Sequence, residues 1–354
     1  MELRNCRSEA LNNQGLAVNL VDILSKTIPS RKHLISIKVR ALHGGLAMLD
    51  DQTSKQTFTR VLARRRFADI LPKLVLAPSF AITLVFVYGF ILFTGVLSLT
   101  GSKLLPDLTK WVGLTNYVRL FNHPNWWISL GNLAIFTTLY ITICSVLGLA
   151  LAILLDQKIR GEGVLRPIYL YPMALSFIVT GVAWKWFLDP GIGLEHVMHL
   201  SGFENFSFRW IKDSQFAIYT IVIAAIWQSS GFVMAMFLAG LRGVDNEIIK
   251  AAQIDGASNW TLYRRIIIPM MTPVFLSAFV VLAHLAIKSY DLVVAMTDGG
   301  PGTATWTPAL FMQKFTFGRN EMGMGSASAI IMLMMVAAVI VPYLYSELAR
   351  KKSS

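Results

Sequence analysis

Charge is what this sequence has least of. Only 15% of its 354 residues are Asp, Glu, Lys or Arg, and 55% are hydrophobic, whereas globular domains in water carry about 25% charged residues. That scarcity excludes an ordinary water-soluble domain. Cysteine is nearly missing too: Cys6 and Cys144 have no spacing that suggests a disulfide framework or a thiolate metal site. No Gly-x-x-x-x-Gly-Lys-Ser/Thr run occurs, so the chain has no phosphate-cradling loop of that kind. Residues 1–59 lack a continuous apolar core followed by a small-residue cleavage site, so no cleavable leader is expected. The net charge of +12 does not point to nucleic acid, because Lys and Arg cluster at the ends of apolar runs, where membrane topology needs them.

What is abundant is apolar length. Runs of about 20 apolar residues, enough to cross a bilayer, recur along the chain. A β-barrel would show short alternating segments instead. The fold class expected is an all-α polytopic membrane protein whose surface meets lipid, with six transmembrane helices near residues 74–98, 130–155, 166–188, 216–240, 266–297 and 326–348. The last run is expected to break at Pro342. With the N-terminus in the cytoplasm, the inner segments hold 15 Lys and Arg and the outer loops seven. The bias places both termini inside. Trp111, Trp126, Trp127, Trp210 and Trp306 fall in the outer loops, several near span ends, where amphipathic rings suit the interface. Residues 1–65 are expected to be a disordered cytoplasmic tail. "GLAVNLVDILSKTI" within it is a candidate short amphipathic helix, and Met48 a candidate alternative start. Residues 66–350 form the membrane domain and 351–354 a cytoplasmic tail.

One polar stretch interrupts the apolar pattern, "KAAQIDGASNWTLYRRIIIP" from Lys250 to Pro269. Asp245 is a good N-cap, and Glu247 adds negative charge to the first turn. "EIIKAAQI" has helix propensity, with Ile248, Ile249, Ala252 and Ile254 giving an apolar side. Gly256 fits the left-handed position that ends a helix. Ser258 caps a second helix expected to run through "WTLYRRIII" into the fifth span. The loop therefore reads as helix, glycine turn, helix. It is either a surface helix packed on its own bundle or a docking helix for a cytoplasmic partner.

This loop resembles the signature of the inner-membrane permeases of binding-protein-dependent ABC importers. That signature runs Glu-Ala-Ala, three residues, Gly, nine residues, Ile-x-Leu-Pro. Here Lys250-Ala251-Ala252 is followed after three residues by Gly256, and after nine more by Ile266-Ile267-Ile268-Pro269, with Asp255 in the matching "IDGAS" context. Lys250 replaces the Glu and Ile268 the Leu. "LVLAPSFAITLVFVYGF", "GLTNYVRLFNHPNWWISLGNLAIFT", "RGEGVLRPIYLYPMALSFIVTGVAWKWFLDPGIGLEH" and "DLVVAMTDGGPGTATWTPALFMQKFTFGRNEMGMGSASAI" extend the resemblance over about 66–350 and are similar to the carbohydrate branch. The resemblance implies a non-enzymatic transport subunit of the bacterial inner membrane that moves a sugar or sugar derivative. It implies separate ABC ATPase subunits that bind the ATP, a second homologous permease and a periplasmic binding protein, and no cofactor of its own. It assigns ATPase coupling to Glu247, Lys250, Ala251, Ala252, Asp255, Gly256, Ile266 and Pro269. A permease for another small solute is the alternative.

Polar groups inside spans are costly and mark function. Gln228, Ser229 and Phe232 in the fourth span, with His284, Lys288 and Ser289 in the fifth, are the candidate substrate pathway, since hydrogen-bonding groups beside an aromatic face suit a sugar. The competing readings are backbone-bonded serines, a packed His284, and a Lys288 that pairs with Asp291 or snorkels. Lys185 and Asp189 read as an i, i+4 pair, and "DGGPG" as a turn. Glu195, His196 and His199 lack further ligands for a metal site. The halves show no convincing repeat of the kind secondary transporters carry, and no cluster at catalytic spacing suggests an enzyme.

Overall fold

The computed structural model describes residue 73, residues 75–157 and residues 161–353, the side chains beyond Tyr345 excepted. The tail 1–65, its amphipathic stretch and Met48 lie outside the described residues, as do Lys158 and Arg160. Two compact units divide the chain, Met1–Phe86 and Val87–Ser354. The described residues are helical apart from turns, loops and one isolated antiparallel bridge, Thr100 to Trp111. Four helices are long and apolar enough to cross a membrane, or up to six if each of two bent pairs is one span.

Helix α1 is Val75–Ser98. Within the first unit, Thr83 Oγ1 donates to the Ser79 carbonyl, a local bond that satisfies the hydroxyl without a partner helix. A short helix α2, Thr115–Phe121, follows the bridge, and Asn116 donates to the carbonyls of Ser98 and Thr100. Helix α3 is Pro124–Asp156, 33 residues or about 50 Å. It starts ahead of residue 130 because its start signal is polar. Pro124 takes the first position, where a missing N–H is harmless, and His123 Nδ1 accepts from the Asn125 N–H at 3.2 Å.

The third apolar run is not one helix. Glu162–Ala174 (α4) and Phe177–Phe187 (α5) are bent by 99°. Pro172 lies in the last turn of α4, Leu175 is extended, and Ser176 restarts the chain as an N-cap accepting from the Val179 N–H. A short helix α6, Leu194–Leu200, leads to Ala217–Arg242 (α7), the most buried of the four long apolar helices. Among the described helices, α3 and α7 make the most extensive contact, with Phe136, Tyr140, Met234, Phe237 and Leu238 fully buried in the core. Gly231 lets the α4 backbone touch α7, since a Cβ there would overlap the Tyr169 carbonyl.

After α7 come α8, Asn246–Ile254, and α9, Asn259–Met270. The second helix of the loop does not run straight into the fifth span. It bends by 66° before α10, Thr272–Ile287. Pro269 and Pro273 bracket the bend and remove N–H donors there. The fifth run is broken again at Lys288 and Ser289, before α11, Tyr290–Met296. Pro308–Gln313 (α12) and Met322–Ser353 (α13) complete the chain. Helix α13 continues through Pro342 rather than breaking there. One lost backbone bond does not end a helix when its neighbours stay in register.

Candidate functional site

The loop after α7 is built by local capping. Asp245 is extended, and its carboxylate accepts from the Glu247 N–H at 2.9 Å. Helix α8 closes at Gly256, with φ of +80°. The Ala257 N–H donates to the Ala252 carbonyl and the Gly256 N–H to the Gln253 carbonyl, at 3.0 and 3.1 Å. The first of these bonds crosses Gly256 and needs a left-handed residue there. Ser258 then caps α9, accepting from the Thr261 N–H. Glu247, Lys250, Ala251, Asp255, Gly256 and Pro269 are exposed, Ile266 is half-buried, and Ala252 is buried. Neither Glu247 nor Lys250 enters an ion pair among the described residues.

The apolar side read from the sequence is split in the structure. Ile249 and Ala252 turn toward the bundle, while Ile254 is 86% exposed and Ile248 40%. Trp260, which sequence reading missed, is 73% exposed. The loop thus presents two large unpartnered apolar side chains beside charged ones. Sequence reading also missed Arg242, at the end of α7. Its Nη2 donates to Glu162 Oε1 at 2.7 Å, and its Nε lies 3.6 Å from Asp156 Oδ1. Its place in the last turn of a helix was the available signal.

The intramembrane polar residues do not form one cluster. Tyr140 on α3 donates to Ser229 Oγ at 2.7 Å, so Ser229 is engaged between helices. Gln228 is 3% exposed and donates through Nε2 to the Leu175 carbonyl, at the bend between α4 and α5. Its Oε1 has no hydrogen-bond partner among the described residues. Phe232 is half-buried against the core. A cavity of about 130 Å³ opens where the α4–α5 bend meets the α10–α11 break, lined among others by Phe136, Tyr140, Phe177, Lys288, Ser289 and Asp291. Phe136 and Tyr140 stack at 5.4 Å, and Ser289 Oγ is buried without a hydrogen-bond partner among the described residues. A larger, mostly apolar cleft of about 490 Å³ lies on the other side of the break, where His284, Lys288 and Gln313 are the polar groups beside Tyr290. Lys288 lines both spaces. No ion pair joins it to Asp291 among the described residues. Of the six residues read as a pathway, two line the smaller cavity and two the larger cleft, with Lys288 in both. Phe136, Tyr140, Phe177 and Asp291 join them.

The opposite end of the bundle is braced by ion pairs. Asp189 pairs with Lys212 at 3.7 Å rather than with Lys185. The Gly191 N–H, and then Lys212, hold its carboxyl below the usual range. The Glu195 carboxylate, 3% exposed, is held by Arg209 and the Phe208 N–H. Burial works to raise its pKa, but these donors outweigh it and keep it low. His199 Nε2 lies 2.7 Å from the Phe206 carbonyl oxygen. The "DGGPG" turn carries left-handed Asp298 and Gly299, and Lys314 Nζ contacts both Asp298 oxygens at 2.9 Å. Asn132 on α3 donates to the carbonyls of Ala304 and Trp306, clamping the loop that follows this turn to α3.

A set of helices long and apolar enough to span a membrane, a capped polar loop between two of them, and a small, mostly apolar cavity with a few polar groups at two helix breaks are the features of a membrane transport subunit. The chain belongs to the family of binding-protein-dependent transport system inner membrane components, whose sequence profile matches residues 145–354. A probable ABC transporter permease protein of Pyrococcus horikoshii is 42% identical over 273 residues, covering 77% of this chain and 94% of the relative. A trehalose/maltose transport system permease protein of Thermococcus litoralis is 29% identical over 272 residues, covering 77% and 91%. Among solved structures, a bacterial ABC transporter involved in the import of the acidic polysaccharide alginate has a chain with TM-score 0.68 and 18% identity. The match covers 80% of this chain and 98% of that one, and it establishes a shared fold.

Proposed function

We propose that the chain is the permease subunit of an ATP-driven importer that moves a sugar or sugar derivative across the bacterial inner membrane. The observation that carries the reading is the helix–turn–helix of α8 and α9, capped at Asp245, Gly256 and Ser258, which presents Ile254 and Trp260 to a partner. In this reading the two bent pairs are spans, giving six. Both termini and the α8–α9 loop are cytoplasmic, with the loop between spans four and five. Helix α8 is the coupling helix, docked on a separate ATPase chain that binds and hydrolyses the ATP, with Lys250, Ala251 and Asp255 on the contacting side. A second, homologous permease completes the membrane part, and a periplasmic binding protein delivers substrate to the loops around Asp298. Relatives named for trehalose/maltose and for xylose/arabinose transport support the sugar class.

The lining of the small cavity suits one part of this cargo; at about 130 Å³ it is well under the roughly 300 Å³ at which ligand pockets begin, so in this reading the spans part to admit a sugar. A sugar ring has apolar C–H faces and hydroxyls that both donate and accept. Tyr140 and Phe136 offer ring faces, Ser289 and Asp291 accept, and Lys288 donates. ATP does no chemistry in this chain. It acts by making one arrangement of the spans bind its partners better than the other. A tagged pull-down from native membranes in mild detergent tests the reading. Recovery of an ATPase, a second permease and a binding protein is expected. Recovery of this chain alone would remove the ATP-driven mechanism and favour a secondary transporter.

A further inference from the structure

Three helix ends meet at one guanidinium. Arg242 is the last residue of α7, Asp156 the last of α3 and Glu162 the first of α4. Two of the three charges suit the helix ends they occupy: a cation at the end of α7 and an anion at the start of α4. Asp156 does not. A carboxylate at the C-terminal end of a long helix faces the negative pole of that helix, and it gains from a cation close by. Arg242 supplies that cation from 3.6 Å while binding Glu162 at 2.7 Å. A lone surface pair contributes little, but one fork shared by two acids fixes geometry better. Three residues on, Asp245 caps the docking helix, with Val244 buried between.

We infer that Arg242 is a positioning residue for transport: it locks the inner ends of α3 and α4 to the root of α8, so that the docking helix and the spans move as one body. The inference rests on the importer reading, because it supposes that a partner moves α8. In this geometry a push on α8 reaches Gly243 and Val244, passes to Arg242, and is shared with two further spans. Without the guanidinium, α8 can tilt on Gly243 while Asp156 and Glu162 stay behind.

The test uses the full chain in its purified complex, with Cys6 and Cys144 replaced by Ser and Ala. Spin labels are placed at exposed Gln157 and Gln253, and the distance distribution between them is measured with and without MgATP. One narrow distribution is expected for the native Arg242 in both conditions. Arg242→Gln is expected to broaden it at least twofold, as is Glu162→Gln. The swap Arg242→Glu with Glu162→Arg and Asp156→Asn is expected to restore the narrow form. An unchanged distribution in Arg242→Gln, or a swap that fails to narrow it while melting at the native temperature, overturns the inference. If no ATPase copurifies, the importer reading falls instead. The distribution can then be read from the chain alone in nanodiscs, where broadening by Arg242→Gln still supports the lock and a native width rejects it.

Discussion

Gly256 has open space around the position a Cβ would occupy, so its requirement is conformational and not steric. At φ of +80° a β-branched residue is strained, and Asn tolerates the region best after glycine. Gly256→Val is therefore expected to abolish uptake while the protein stays in the membrane at native abundance, and Gly256→Asn to keep most of it. Immunoblots of the membrane fraction alongside uptake assays decide this, and normal uptake by Gly256→Val would remove the docking role of the loop. At Ser289 the reasoning reverses. Its hydroxyl is buried and has no hydrogen-bond partner among the described residues, so Ser289→Ala should leave the melting temperature unchanged or slightly raised. If the hydroxyl serves the substrate, KM should rise about three- to tenfold, the value of one ordinary hydrogen bond. A lower melting temperature with native KM would make Ser289 a packing residue.

Elements start and stop for local reasons, and those were readable. Asp245, Gly256 and Ser258 are each sufficient within a few residues to cap or end a helix, so the loop between α7 and α10 was legible before any contact was known. The breaks were less so. Pro172, Pro269 and Pro273 announce weakness, but whether a proline bends a span by 99° or passes through it, as Pro342 does, depends on neighbours that take up the freed groups. The start of α3 carries a titrating cap. Burial, then Arg319, hold the His123 pKa below its ordinary value of 6.5, and the neutral ring accepts the Asn125 N–H. A depressed pKa means that the stabilisation is present above about pH 6.5 and is lost as pH falls through the folded-state value. The melting temperature is expected to drop as the pH is lowered from 7.5 to 5, and His123→Asn, which caps without titrating, should flatten that dependence. Equal slopes in calorimetry would clear His123 of the role.

For the whole molecule, Ile254 and Trp260 are the largest exposed apolar groups on the loop, and anchors of that kind carry most of an interface's energy. Replacing both with Ala is expected to weaken ATPase association at least tenfold, read by copurification, without changing the melting temperature of the chain. Retention of the ATPase would place the docking face elsewhere. The sequence alone determined that the chain lives in a membrane, where its long apolar runs lie and how its polar loop folds. Each of those follows from composition or from residues a few positions apart. The tertiary structure decided which polar groups meet. Tyr140 finds Ser229 across 89 residues, and Arg242 finds Glu162 across 80. No periodicity records such pairs, because they depend on how bent helices cross and not on the turn each residue sits in.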